Sequence, residues 1–240
     1  MTNIDVYIEI IEKLLARLKN KEKPNVEKAA QTIATAMQND KYLYVFGSGH
    51  SHMMAEEFFY RAGGLVRVYP MLEPALMLHE GALKSTAAER QSGSAKKILA
   101  NYPIGAGDVL VIASNSGRNA VPIEMAIEAK KTGVNVIALT SLNHSKAVTS
   151  RHSSGKRLFE LADIVIDNGG VVGDAAVVVN GEKIAPTSTV INAAIINAIV
   201  ARVVELLGDK AEFFASSNTD EGEKRNQKYI DKYKDFVRYL

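Results

Sequence analysis

Five apolar runs punctuate the chain at residues 42–46, 65–69, 109–113, 134–139 and 163–166. They are rich in β-branched and aromatic residues, and polar residues do not alternate through them. That pattern predicts strands buried on both faces. Between them lie helical patterns at about 51–62, 75–88, 93–101, 120–132 and 188–207. Strands alternating with helices predict an α/β fold with a five-stranded parallel sheet flanked by helices. In such sheets a ligand sits beyond the carboxyl ends of the strands, near a topological switch point.

The two ends of the chain extend this unit. Ile4, Ile8, Ile11, Leu15 and Leu18 recur at helical spacing, and Pro24 opens a second helix to about Met37. Tyr229, Tyr233, Phe236 and Leu240 share one helical face. Such stripes cover the same chain or a partner, and cover of the same chain is the expectation. The organisation expected is therefore N-terminal helices over 1–40, a core domain over 41–208 and a C-terminal loop and helix over 209–240. Asn180-Gly181 suits a two-residue turn and predicts a small hairpin from Val177 to Ile184. Ser141 to Lys156 reads as a polar connection with a short helix near Lys146, and Asp209 to Glu223 as a second long one.

Composition narrows the function. With 240 residues, 47% of them apolar, the chain can bury a sizeable core. A net charge of +2 offers no nucleic-acid footprint and no steering to a membrane. Absence of cysteine excludes disulfides, thiolate nucleophiles and thiolate metal sites. The start Met1-Thr2-Asn3-Ile4-Asp5 lacks the features of a signal peptide. The apolar region from Val190 to Leu207 is interrupted by Asn192, Asn197, Arg202 and Glu205, which argues against a membrane span. A cytoplasmic protein is expected.

Two strand ends carry the chemistry. Tyr42-Leu43-Tyr44-Val45-Phe46 runs into Gly47-Ser48-Gly49-His50-Ser51, and Val109 to Ala113 runs into Ser114-Asn115-Ser116-Gly117-Arg118-Asn119. Each turn precedes a helical pattern, so backbone N–H groups and serine hydroxyls meet the positive end of a helix. A single serine there reads as an N-cap. Two such turns argue for an anion site that grips a phosphate. A dinucleotide fingerprint does not fit, because His52 replaces its third glycine and the second strand closes as Val68-Tyr69-Pro70 without an acid.

The paired turns resemble the SIS (sugar isomerase) domain family over roughly Val26 to Leu207. That resemblance implies a flavodoxin-like three-layer sandwich and a phosphorylated sugar as ligand. It implies that Ser51, Ser114, Ser116 and Asn119 contact the phosphate, with Gly49, His50 and Asn115 in the same turns. Thr187 and Ser188, opening the last core helix, look like a family element bordering the sugar. The family also implies a homo-oligomer, dimer or tetramer, with Ala215 to Asn218 and the terminal helices as contributors.

Aldose–ketose isomerisation needs a base that shuttles a proton through an enediol, and ring opening needs an acid–base partner. Glu89 lies in a region that supplies a catalytic glutamate in several SIS isomerases, and a helix-end ion pair is its alternative reading. Glu80 is the reserve, while His79 or His50 suits ring opening. His50 and His52 lack a nearby third ligand, so no metal and no cofactor are expected.

The expected function is thus a phosphosugar isomerase resembling phosphoheptose isomerase, with a glutamate base. That isomerase carries a histidine in its last core helix, and here none follows His152. Ser116-Gly117-Arg118 is similar to the N-acetylmuramic acid 6-phosphate etherase, although Arg61 occupies the place of that enzyme's other glutamate. A lyase or etherase on an amino-sugar phosphate therefore stays open. So does a non-catalytic phosphosugar sensor, though too few residues precede the first strand for a DNA-binding module. The cationic run Arg151 to Arg157 is a solvated loop or reaches a second anionic group of the ligand. Asn168-Gly169-Gly170 and Gly173-Asp174 shape the pocket floor or simply make loops.

Overall fold

Burial follows the apolar runs. In the computed structural model, which describes residues 2–240, β1 (Leu43–Gly47), β2 (Val68–Met71) and β3 (Val109–Ala113) are buried at every position. With β4 (Asn135–Thr140) and β5 (Ile164–Asp167) they form a parallel sheet in the order β2-β1-β3-β4-β5. The sheet reverses its winding between β1 and β3, whose register pairs Gly47 with Ala113. The two serine-bearing turns therefore leave the carboxyl edge side by side.

Pleating sends alternate residues to two cores, as the period of a strand requires. Leu43 and Val45 face a layer of α1 (Asn3–Arg17), α2 (Lys23–Gln38), α3 (Met53–Phe58) and α8 (Ser188–Leu207). Tyr44 and Phe46 face α5 (Ser94–Leu99), α6 (Ala120–Lys131) and α9 (Asp220–Tyr233). Removing a buried ring such as Phe46 would cost about 3–5 kcal/mol. Helix α4 (Ala82–Glu89) packs against α6 near the carboxyl edge, and α7 (Leu142–Lys146) follows β4. The hairpin of β6 (Ala175–Val179) and β7 (Glu182–Pro186) turns at Asn180-Gly181. α8 is the one helix among the described residues long and apolar enough to cross a membrane. Ile191, Ile195, Ile199 and Val203 bury it against α2 and α3.

Several boundaries differ from the expectation. The second strand begins at Val68 and not at Leu65, because Leu65 bridges antiparallel to Phe213 and Val66 N–H donates to the Glu212 carbonyl. The helix expected over 51–62 shortens to α3, preceded by a 3-10 turn Gly49–His52, since Phe59 turns extended and Tyr60 adopts a φ of 43°. The helix expected over 75–88 divides. Two 3-10 turns, Pro74–Leu76 and Leu78–Glu80, precede Gly81, whose φ of 130° resets the chain before α4. At the N-terminus α1 runs into α2 through a π-helical turn, Leu18–Glu22. That turn brings Glu22 and Arg17 onto Asp167, with Arg17 Nη2 2.6 Å from its carboxylate and Asp167 N–H donating to Glu22 at 3.1 Å.

The terminal stripes divide as well. Tyr229 and Tyr233 of α9 are buried in their own chain. On α1, Ile11 is buried, whereas Ile4 is 75% and Ile8 50% exposed, so half of that stripe faces outward.

Candidate functional site

The first turn is shaped by close approach. A Cβ at Gly47 would overlap the Ser51 carbonyl, so only glycine lets the chain fold back over the end of β1. Ser51 N–H donates to the Ser48 carbonyl at 3.0 Å, and the His52 ring nitrogen Nδ1 lies 2.6 Å from the Gly49 carbonyl. Gly49 takes a φ of 55°, His50 is exposed, and Ser51 is half-buried. His50, Ser51 and Met54 face Ser188, Thr189 and Asn192 across a small recess at the start of α8.

The second turn is held from all sides. Ser114 is buried and its Oγ accepts from Gly117 N–H at 3.3 Å. The Asn115 carbonyl accepts from Ser141 N–H at 3.0 Å and from Thr140 Oγ1 at 3.1 Å. Its Oδ1 accepts from Asn168 Nδ2 at 2.8 Å, and the same Nδ2 donates to Asn192 Oδ1 at 3.0 Å. A chain of three amides thus runs from the second turn to the recess beside Ser51. Asn119 occupies the N-cap of α6 but makes no capping bond, because its Oδ1 accepts from Arg151 Nη1 at 2.9 Å. The Ala120 and Val121 N–H groups at the head of this twelve-residue helix, with Pro122 carrying none, are left for another acceptor.

The remaining sequence-derived residues fall around this crevice. Asp174, at a φ of 69°, gathers the start of α8. It accepts from Thr187 Oγ1 at 3.3 Å, from Ser188 N–H at 2.9 Å and from Ser188 Oγ at 2.5 Å. Both hydroxyls therefore donate to a carboxylate. Glu89 ends α4, half-buried and within electrostatic range of the Arg151 guanidinium. His79 and Glu80 are exposed on the Leu78–Glu80 turn, 4.0 Å from Nε2 to Oε1, and the His79 ring centre is 6.1 Å from that of His52.

Sequence reasoning did not single out His144, Ser141 or Ser145, which lay in a run expected to be a connection. Ser141 caps α7 by accepting from His144 N–H at 3.1 Å and donates to the Gly170 carbonyl at 2.6 Å. Burial holds the His144 imidazole below the usual histidine value, with the Arg118 charge acting in the same sense and Asp174 opposing. Three buried polar atoms here lack a partner within the protein: Asn115 Nδ2, His144 Nδ1 and Ser145 Oγ. Buried donors and acceptors are normally paired, so their concentration beside the second turn marks a place where a polar ligand or water completes the bonding. Asn192, a polar residue inside an apolar helix, and Asn168, just past the fifth strand, were the signals in the sequence for the amide chain.

A hollow of about 710 Å³ lies elsewhere. It is lined by Lys28, Gln31, Thr35, Lys41, Gly107 and Asn135, at the amino edge of the sheet. It opens broadly to solvent and lacks converging helix N-termini, so the smaller crevice at the carboxyl edge is the better site.

A doubly wound parallel sheet with two hydroxyl-bearing turns at its switch point defines a class, and the comparisons agree with it. The SIS domain model matches residues 6–141. A UPF0309 protein of Geobacillus thermodenitrificans is 44% identical over 242 residues, covering 99% of this chain and 97% of the relative. One of Caldanaerobacter subterraneus is 44% identical over 245 residues, covering 99% and 100%. Among solved structures, a phosphoheptose isomerase of Francisella tularensis superposes with a TM-score of 0.58 at 17% identity, covering 85% of this chain and all of that one. The phosphoheptose isomerase of Neisseria gonorrhoeae gives 0.54 at 20% identity, covering 85% and 96%. The chain belongs to the SIS-domain family and, within it, to the UPF0309 proteins.

Proposed function

We propose that the chain binds a phosphorylated sugar at the carboxyl edge of β1 and β3 and isomerises it between aldose and ketose. The observation that carries this reading is the register of Gly47 with Ala113, which sets both serine turns at one edge beside the uncapped N-terminus of α6. A dianionic phosphate there would accept from backbone N–H groups and from the hydroxyls of Ser51, Ser114 and Ser116, each such bond contributing about 1.5–3 kcal/mol. The fold is that of two phosphoheptose isomerases. In the proposed reaction the Glu89 carboxylate takes the proton from the carbon beside the sugar carbonyl, the electron pair moves onto the carbonyl oxygen, and the neighbouring hydroxyl's proton passes to that oxygen in the enediolate. The carboxylic acid then returns that proton to the neighbouring carbon. His79 or His50 would serve ring opening, and Glu80 stands in reserve as base. No metal or cofactor enters this scheme.

The test is direct. Sugar phosphates should raise the melting temperature where their unphosphorylated counterparts do not, by about 2.7 kcal/mol of added stability at a hundredfold excess over Kd. Glu89→Gln should cut turnover by about 10²–10⁴-fold with binding intact. Full turnover in that variant would remove Glu89 from the scheme. Binding without turnover across a broad panel would favour a sensor, and release of an unsaturated product a lyase. The same reading gives the protein a cytoplasmic location and a second copy as partner. Ile4 and Ile8 of α1, with Val190 of α8, supply exposed apolar surface for that copy, and a monomeric mass in light scattering would dismiss it.

A further inference from the structure

The rim of the second turn carries more positive charge than one phosphate requires. Arg118 follows the Ser-Asn-Ser-Gly turn, and its Nε donates to the Thr149 carbonyl at 2.9 Å. The Arg151 N–H donates to the Arg118 carbonyl at 2.8 Å, and the Arg151 guanidinium reaches Asn119 at the head of α6. Arg90, the C-cap residue of α4, lies within electrostatic range of Arg151. Its loop and the 150 loop are pinned to the same helix by Glu124 of α6. That carboxylate accepts from Gly93 N–H at 3.0 and 2.8 Å and lies 3.4 Å from His152 Nε2.

None of the three guanidiniums forms an ion pair with a carboxylate among the described residues. Partial desolvation, Arg118 and Arg90 disfavour the charge of the largely exposed Arg151, and Glu89 opposes them. Three like charges facing one carboxylate leave a net positive charge, and the arrangement is rational if an anion completes it. Hydroxyls and helix N–H groups already suit the dianion at the turn.

We propose that Arg90, Arg118 and Arg151 form a second anion subsite, so that the sugar bound here carries, besides its phosphate, a carboxylate or a second phosphate. Guanidinium is the side chain suited to both, through paired N–H donors. The proposal rests on the phosphosugar reading above and narrows it to doubly anionic sugars.

Calorimetric titration of the full chain with fructose 6-phosphate, fructose 1,6-bisphosphate and 6-phosphogluconate tests it. At least one of the two doubly anionic probes should bind about tenfold more tightly than the monophosphate, and which one does so separates phosphate from carboxylate. Arg90→Gln, which removes no hydrogen bond within the protein, should erase about tenfold of that preference and leave fructose 6-phosphate binding within about twofold. Arg151→Gln should erase the same preference, with fructose 6-phosphate affinity and melting temperature measured beside it because the change also frees Asn119. Equal affinity for single and double anions overturns the proposal while leaving the phosphate site standing. An equal loss for every phosphorylated probe in Arg90→Gln also overturns it, since the guanidiniums would then serve the first phosphate. Failure of all three probes sinks the phosphosugar reading itself, and this subsite with it.

Discussion

The two serine turns leave adjacent strands at the same level, yet they are built differently. After β1 the chain closes on itself. A 3-10 turn and a six-residue helix follow, and Ser51 and His50 look across an open recess at α8. After β3 the turn is held by distant parts of the chain, through Asn168, Thr140, Ser141 and Arg151. The first turn is thus a local device whose shape resides in Gly47, and the second is a preorganised one whose shape resides in its neighbours. A site that must bind a charged group before chemistry gains from the second kind, because dipoles fixed in advance need little reorganisation.

Glycine replacement is the largest way to break this comparison. Gly47→Ala forces a side-chain carbon onto the Ser51 carbonyl and should cost about 3 kcal/mol or more. Gly117→Ala meets the Leu158 side chain at 3.0 Å and strains a φ of 57°, for about 1–2 kcal/mol. Urea unfolding of both variants measures the difference, and equal losses would refute the assignment of the first turn to local close approach.

Polar replacement sharpens the contrast at the next level. Asn168→Ala removes the amide shared by Asn115 and Asn192, leaves their Oδ1 atoms unpaired, and should cost about 1–3 kcal/mol. Ser51→Ala should change stability by no more than about 0.5 kcal/mol, yet lower affinity for a sugar phosphate about tenfold or more. Melting curves with and without ligand separate the two effects, and a large loss of intrinsic stability in Ser51→Ala would erase the distinction.

The smallest effect is one of pH. Because burial lowers the His144 value in the folded protein, the unfolded chain binds more protons as pH falls. Stability attributable to this ring is complete above the ordinary histidine value of about 6.5 and is lost as pH drops from there through the folded-state value. Urea midpoints of wild type and His144→Gln at pH 7.5 and 5.5 should show a shallower decline in the variant. A decline equally steep would place the titration elsewhere.

Much of this molecule was legible in the chain. Strands apolar on both faces, separated by helical patterns, dictated the parallel sheet because such segments have no other way to satisfy their backbone and their side chains together. The glycines and serines of both turns announced themselves because each group stands where an apolar run stops and a helical pattern begins. The start of α4 was misread because the helical spacing of 75–88 runs through Gly81, and only its φ of 130° in the folded chain shows the break. Tertiary structure alone decided the rest. The amide chain joins residues 53 and 24 positions apart, His144 is desolvated only once α7 packs, and Arg118 and Arg151 adjoin only when the 150 loop is brought onto the turn before α6. Those contacts exist because folding closes long loops, and no periodicity along a chain records which distant residues such closure will bring together.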